Sequence, residues 1–348
     1  MDTNKTGLQE QRRSPAVIGG KEKMKINEIY QGDSLDVLRG FEDNSIDCCI
    51  TSPPYWALRD YGAEGQLGLE PTFYEYIDKL CLIFEEVRRV LKKEGTCFVN
   101  LGDTYGGSGK GAGGGYSDKS TLAGFTSSNT KGRRMAKESW NFKKAPKTEG
   151  DISKSLCQIP SRFAIQMTGR DWILRNEIVW HKPNAMPSSA VDRFTVDFEK
   201  VFFFVKQRTY YFEQQLEPYT EPINRWGGTM VKRLNGADEY GMKQRIRDYR
   251  PIDEGKNKRC VWSINTEPFS EAHFATYPES LIAPMIKAGC PENGIVLDPF
   301  MGSGTTAVVA KKLGRNFVGI DLNPDYIEIA RKRIAKTPQN LFQKLSPF

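Results

Sequence analysis

Residues 294–330 read GIVLDPFMGSGTTAVVAKKLGRNFVGIDLNPDYIEIA. Ile295-Val296-Leu297 is a short apolar run of strand type, followed by the turn Asp298-Pro299-Phe300-Met301-Gly302-Ser303-Gly304. Thr305 opens a helix, because Ala307, Val308, Ala310 and Leu313 recur at helical spacing. Gly314 ends that helix, Phe317-Val318-Gly319-Ile320 forms a second strand, and Asp321 stands at its carboxyl end. A strand–turn–helix–strand unit with an acid roughly 20 residues beyond its glycines is the arrangement that grips a ribose diol. Glycines let the backbone approach a ligand closely, and a carboxylate accepts from both hydroxyls.

Which nucleoside follows from the charges around the loop. A dinucleotide fold seats a pyrophosphate on the helix N-terminus behind G-x-G-x-x-G. Here Ala307 occupies the third glycine position, which the pattern tolerates, but Asp298 and Pro299 precede the loop. An acid at the strand end repels phosphate and suits a cationic amino acid group, such as the methionine ammonium of S-adenosyl-L-methionine. About 240 residues earlier, Ile46 to Ile50 forms another apolar strand, and Thr51-Ser52-Pro53-Pro54-Tyr55-Trp56 follows. Two prolines end the ladder and stiffen the chain. Their free carbonyls can accept from an NH2 group, and Tyr55 can stack on a flat ring. An ordinary strand exit has the same composition, so this hexapeptide gains meaning from the glycine loop.

D-P-F-x-G-S-G-T-T together with T-S-P-P-Y-W resembles the DNA amino-methyltransferases, which methylate an exocyclic nitrogen. The tetrapeptide comes first and the cofactor loop last, which is similar to the beta class of that family, over roughly residues 25–335. The resemblance implies an α/β, Rossmann-like methyltransferase fold with permuted motif order and an inserted target-recognition region. It implies S-adenosyl-L-methionine as cofactor and double-stranded DNA as partner. Ser52, Pro53, Pro54 and Tyr55 are the implied catalytic residues. Asp33, His273, Phe274, Asp298, Pro299, Phe300, Gly302, Gly304, Thr305 and Asp321 are the implied cofactor contacts. Gly32-Asp33 would lie by the adenine, with an N-cap as the competing reading. His273-Phe274 would enclose the methionine end, although the family more often has proline after this histidine. Trp56 and the Trp180-His181-Lys182-Pro183 stop would line the pocket for an extruded base; a strand end with a basic cap is the alternative. A homodimer and a separately acting restriction endonuclease are compatible partners between which the sequence does not choose.

Composition sets the remaining bounds. The 348 residues, 39% of them hydrophobic, suffice for one large domain with insertions. A net charge of +7 suits a polyanionic partner without demanding one. Seven cysteines without C-x-x-C spacing and only two histidines fit reduced thiols in a cytoplasmic setting and no metal site. No run reaches membrane-span length and no signal peptide is visible, so the sequence predicts a protein away from membranes.

The chain divides as follows. Residues 1–23 are polar and aperiodic and predict a disordered leader. Residues 24–205 form the catalytic half. They include a strand over Ile26–Tyr30, a helix over Leu35–Arg39, an amphipathic helix over Phe73–Leu91 broken by Gly95, and a strand over Thr96–Leu101. A helix over Ile152–Gly169 and a strand over Trp172–Trp180 follow. This alternation predicts a sheet covered by helices on both faces. Within this half, residues 104–150 are glycine-rich and then basic, with Arg133 and Arg134 among the cations; they read as a flap over DNA phosphates or as a solvated insertion. Residues 206–262 intersperse Arg225, Arg245 and Arg247 with tyrosines and Trp226, a composition that neutralises phosphates and reaches base edges. They are assigned to target recognition, with a dimer-stabilising insertion as the alternative. Residues 263–335 complete the cofactor half, with a helix from Glu279 to Ala288, and 336–348 form a tail.

Competing activities are weighed on the same residues. C5-cytosine methylation needs a nucleophilic cysteine after proline, and neither Cys157 nor Cys290 fits. Protein-glutamine methyltransferases carry Pro-Pro-Tyr downstream of the cofactor loop, the reverse of the order here. A DNA-binding protein without catalysis would not need Ser52 to Tyr55, Gly302, Gly304 and Asp321 together. In the resembling family, serine at the first motif position goes mostly with N4 of cytosine and aspartate with N6 of adenine. Ser52 therefore favours cytosine, with N6-adenine as the alternative.

Overall fold

The computed structural model describes residues 24–57, 65–106, 154–218, 255–267 and 277–338. The leader 1–23, Arg133, Arg134, Arg225, Arg245, Arg247, His273 and Phe274 lie outside these residues.

In chain order the elements are β1 (Glu28–Gln31), α1 (Ser34–Arg39), β2 (Ile46–Thr51), α2 (Phe73–Val90), β3 (Leu91–Leu101), α3 (Ile159–Thr168), β4 (Ile173–His181) and β5 (Phe198–Val205). There follow β6 (Leu216–Glu217), β7 (Lys256–Asn257), β8 (Val261–Ser263), α4 (Glu279–Gly289), β9 (Ile295–Asp298), α5 (Thr305–Lys312), β10 (Asn316–Asp321) and α6 (Pro324–Lys336). The main sheet runs β1-β10-β9-β2-β3-β5-β4-β8, and β6 pairs with β7 separately. From β1 to β3 every neighbouring pair is parallel, whereas β5 is antiparallel to both β3 and β4.

Why these residues make this sheet is clearest at β2. All six of its residues are buried, as a parallel strand covered on both faces requires. One face packs Leu38 of α1, Tyr76, Leu80, Phe84 and Val87 of α2, and Phe163 of α3; the other packs Leu281 and Ile286 of α4, Val309 of α5, and Ile327 and Ala330 of α6. Each Leu, Ile, Val or Phe among them contributes about 1.5–3 kcal/mol of burial. Thr72 caps α2 by accepting from the Glu75 N–H, and Asp33 caps α1 by accepting from the N–H groups of Leu35 and Asp36. The N-cap reading of Asp33 is thus realised.

Three boundaries depart from the sequence expectation. The helix α2 stops at Val90, and β3 begins at once, taking Gly95 into the strand. The change falls where Leu91 turns extended and its side chain enters the core. Helix α3 starts at Ile159, seven residues after the expected start, because Gln158 adopts a left-handed φ of 55° and Pro160 occupies the first turn, where its missing N–H costs nothing. Strand β8, inside the segment assigned to target recognition, pairs with β4 in the main sheet. That segment is also tied back earlier, by N–H donation from Tyr211 to the Glu94 carbonyl and from Glu213 to the Ala288 carbonyl. Strand β5, absent from the sequence expectation, is central, and its Phe203 stacks on Phe98 at 4.5 Å.

The chain leaves β2 through α2 towards β3, and leaves β9 through α5 towards β10 on the opposite side. Strands β2 and β9 are adjacent, so the order reverses between them. In open α/β sheets the crevice beyond the carboxyl ends at such a reversal is where ligands bind.

Candidate active site

Two groups of residues meet at that crevice. From β9, Asp298 has no exposed surface. Its Oδ1 accepts from the Thr51 hydroxyl at 2.6 Å and the Phe300 N–H at 3.1 Å; its Oδ2 accepts from the Thr306 hydroxyl at 2.6 Å and the Tyr277 hydroxyl at 2.9 Å. Two donors per oxygen satisfy the carboxylate fully. The expectation that Asp298 meets a ligand ammonium is therefore corrected: the acid is spent on fastening its own loop to β2, α5 and Tyr277. Burial raises its pKa, and the four donors oppose that rise. Burial likewise pushes the Tyr277 phenol well up, with the neighbouring Asp298 adding to it.

The loop beyond Asp298 is shaped by its glycines. Gly304 has φ 82°, and a Cβ there would stand 2.7 Å from the Ala330 Cβ, so α6 packs against bare backbone. Gly302 has φ 51°, and among the described residues a Cβ there would meet nothing nearer than the Phe300 carbonyl oxygen at 4.0 Å. The first glycine therefore borders open space and the second permits packing. Asp321, at the end of β10, accepts from the Gly302 N–H at 2.7 Å and the Asn323 N–H at 2.8 Å. It remains partly exposed, and burial raises its pKa against the lowering effect of those N–H groups. The Ser34 hydroxyl donates to the Pro299 carbonyl at 2.6 Å, which brings α1 and its cap Asp33 against the loop. Thr305 begins α5, and its hydroxyl accepts from Arg333 at 3.1 Å.

From β2, Ser52, Pro53, Pro54 and Tyr55 leave the sheet directly beside this loop, joined to it by the Thr51–Asp298 bond. The Tyr76 hydroxyl donates to the Pro54 carbonyl at 2.9 Å. No such bond to the Pro53 carbonyl forms among the described residues. The Tyr55 ring lies on Gly102, where a Cβ would stand 2.5 Å from the ring edge. Its hydroxyl donates to Glu199 Oε2 at 2.7 Å and lies 3.2 Å from Asn100 Oδ1, which also accepts from the Ser52 hydroxyl at 3.3 Å. Burial first and the Glu199 charge second hold the Tyr55 phenol well above the usual tyrosine range. Tyr55, Trp56, Gly102, Asp103, Thr104 and Ile159 surround a small cleft.

Trp56, expected to line a pocket beside Tyr55, borders this cleft. It is 4% exposed, packs edge-on against Phe73 at 5.8 Å, and its indole N–H donates to the Glu70 carbonyl. It forms a wall of the cleft from within the core. Lys182 points back to Glu199 in an ion pair and sits 4.3 Å from the Trp180 ring centre. His181 turns to Ser263, with Nδ1 at 3.0 Å from the hydroxyl and Nε2 at 3.6 Å from Asp197.

Sequence reasoning missed Thr51, Asn100, Glu199, Tyr277 and Thr306 as members of this site. Thr51 and Thr306 lie within the quoted motifs and were within reach of it. Asn100, near the end of the strand expected over Thr96–Leu101, carried a weak positional signal, and Glu199 carried none.

A family described as DNA methylase matches residues 46–332. The type II methyltransferase M.Cfr9I of Citrobacter freundii is 37% identical over 327 residues, covering 92% of this chain and 93% of the relative. M.SmaI of Serratia marcescens is 37% identical over 309 residues, covering 89% and 91%. Among solved structures, the PvuII cytosine-N4-specific DNA methyltransferase superposes with a TM-score of 0.56 at 19% identity, covering 94% of this chain and 93% of that one. A DNA modification methylase of Thermus thermophilus gives 0.52 at 18%, covering 90% and 97%. These two likenesses establish a shared fold. With a family match that spans most of the chain and relatives aligned nearly end to end, the chain belongs to the DNA methylase family of type II amino-methyltransferases.

Proposed function

We propose that this chain transfers a methyl group from S-adenosyl-L-methionine to the exocyclic N4 of a cytosine extruded from double-stranded DNA. The observation that carries the reading is the Thr51–Asp298 bond, which fixes the Ser52–Tyr55 tetrapeptide beside the glycine loop at the reversal of strand order. The residues present fit the cofactor. Gly302 borders open space, and Asp321 holds the loop while keeping partial exposure for a ribose diol. Asp33, Pro299, Phe300, Gly304 and Thr305 shape the same cradle, and Asp298 acts through the loop it fastens.

The cofactor, held by the Gly302 loop and Asp321, would supply an electrophilic sulfonium methyl whose C–S electron pair stays on sulfur, and the methylated nitrogen would lose one proton to solvent water. The chain's own work is positioning. A paired, stacked base must be extruded before its amino group is reachable. Tyr55 offers a ring face for stacking. Ser52 and the Pro53 carbonyl accept the two amino N–H bonds, drawing the conjugated nitrogen towards a pyramidal form with its lone pair free. Orientation of this kind supplies much of the acceleration, and acceptors set for the developing positive charge supply more.

Ser52 at the first motif position supports cytosine, while both bases present a similar amino-amidine edge. The test is methyl transfer from labelled cofactor to unmethylated DNA, followed by mass analysis of the digested nucleosides. N4-methylcytosine is expected. N6-methyladenine would keep the site and overturn the base assignment, and no product on varied genomic DNA would overturn the reading.

A further inference from the structure

Glu199 is, among the described residues, the one acid hydrogen-bonded to the tetrapeptide, and the hydrogen-bond count there has a direction. The Tyr55 hydroxyl has a single proton, with Glu199 Oε2 at 2.7 Å and Asn100 Oδ1 at 3.2 Å as acceptors, and the Ser52 hydroxyl is hydrogen-bonded to it as well. The charged, nearer acceptor takes it, since bonds to an ionised group are roughly twice as strong. Asn100 cannot turn over: its Nδ2 donates to the Lys200 carbonyl at 3.3 Å, and reversal would set oxygen against oxygen. Its Oδ1, 3.3 Å away, and the Tyr55 oxygen, whose own proton is on Glu199, are both acceptors for the Ser52 proton. With that proton committed, the Ser52 oxygen has only lone pairs to show to the crevice.

Building on the function proposed above, we infer that Glu199, held by Lys182, is a positioning residue that sets the direction of hydrogen bonding through Tyr55 and Asn100, so that Ser52 accepts from the amino group of the target base. The direction matters chemically. A hydroxyl that accepts an amino N–H raises electron density on the nitrogen. One that donates to it ties up the lone pair needed for attack. Lys182 is part of the device, because its ammonium pairs with Glu199 Oε1 while lying against Trp180. Lys200, the next residue on β5, is turned away to Glu177 and Ser161.

The pair makes an unusual variant informative. In Glu199→Gln, Lys182 draws the amide oxygen to itself and forces the NH2 towards Tyr55. The Tyr55 proton then turns to Asn100 or to the neighbouring Ser52 oxygen, where it fills a lone pair that the base amino group needs. Single-turnover methyl transfer at saturating DNA and cofactor is expected to fall by about ten- to a hundredfold, the scale of a small misplacement at a reacting centre, with the cofactor Kd unchanged. Adding Lys182→Met frees the amide to rotate its oxygen to Tyr55, so the double variant should transfer faster than Glu199→Gln alone. A structural role for Glu199 would make the double variant worse. A rate for Glu199→Gln equal to the parent's, or a double variant no faster than the single, overturns the inference. Ser52→Ala separates the two levels. If it transfers at the parent rate, both the inference and the assignment of Ser52 fail. If it is slow while Glu199→Gln is not, the inference alone fails.

Discussion

The glycine-loop end of the crevice and the Tyr55 end are built on opposite plans. Around β9–α5–β10, the bonds that shape the turn itself are close in sequence: Phe300 and Thr306 reach Asp298 across two and eight residues, and Gly302 reaches Asp321 across 19, while Thr51 and Ser34 tie the finished loop to distant elements across 247 and 265. Around the tetrapeptide they are remote, with Ser52 meeting Asn100 across 48 residues and Tyr55 meeting Glu199 across 144. A locally closed loop keeps its shape if its turn and two strands form. The target-side network exists only once β3, β5 and β4 have paired. The shape of the glycine loop is thus largely local, and the Tyr55 end depends on distant packing.

The joint between the ends is the place to break this contrast. Asp298→Ala leaves the donors of Thr51, Phe300, Thr306 and Tyr277 without their acceptor, and buried orphaned donors cost about 1–3 kcal/mol each. Relief from burying a carboxylate and partial re-pairing offset part of this. A net loss on the order of 3 kcal/mol in urea unfolding is expected. A loss under about 1 kcal/mol would mean that the two ends are not held together through Asp298.

The two loop glycines sharpen the contrast within one turn. Gly304→Ala places a methyl 2.7 Å from the Ala330 Cβ at φ 82°. Left-handed strain of about 1–2 kcal/mol and overpacking against α6 act together, so stability falls by about 2 kcal/mol or more. Gly302→Ala carries only the conformational part, about 1 kcal/mol, but fills space that the proposed cofactor needs. Calorimetry should show a loss of cofactor affinity of about tenfold or more for Gly302→Ala. If Gly302→Ala destabilises more than Gly304→Ala, the packing roles are reversed.

The same contrast explains what the sequence could show. The cofactor half was readable because its strand, turn, helix and acid are consecutive, and each step obeys a local rule of periodicity or backbone shape. Asp298 was readable as an acid at a strand end but not as a buried one, since Thr51 and Tyr277 converge on it from other elements. Glu199 sits in FEKVFFFV, where hydrophobic patterning says strand and nothing says that its carboxylate meets Tyr55. Gln158 shows the local counterpart: a left-handed residue without glycine leaves no mark by which to shorten α3. Trp56 was readable as a neighbour of the cleft, but not the fastening of its N–H and ring by Glu70 and Phe73.

On the target side, Tyr55→Ala should slow methyl transfer while leaving cofactor affinity intact. Stacking of a base on an aromatic ring is worth about 1–3 kcal/mol, which is about five- to 150-fold in rate if it acts in the transition state. Gly102→Ala, whose methyl would displace the ring, should reproduce part of that effect without removing the ring. Equal turnover in both would remove Tyr55 from the base pocket.

The smallest effect, and the most specific to the cofactor side, is the pH dependence of cofactor binding at Asp321. Burial raises this carboxyl above the ordinary aspartate value, opposed by the N–H groups of Asn323 and Gly302 and assisted by nearby Asp298. A ribose diol donates to the ionised form, so affinity is present above the raised pKa and declines as pH falls through it. The decline therefore begins at a higher pH than the ordinary aspartate value of about 3.9 would give. Titration of the protein with cofactor from about pH 7 down to about pH 3.5, as far as the fold persists, should show weakening that approaches tenfold per pH unit below the pKa. Asp321→Asn cannot titrate, so its affinity, weaker at neutral pH, should be flat over the same window, and Tyr55→Ala should follow the parent curve. A parent curve that is flat, or an Asp321→Asn curve that still bends, would place the titrating group elsewhere and remove Asp321 from the ribose.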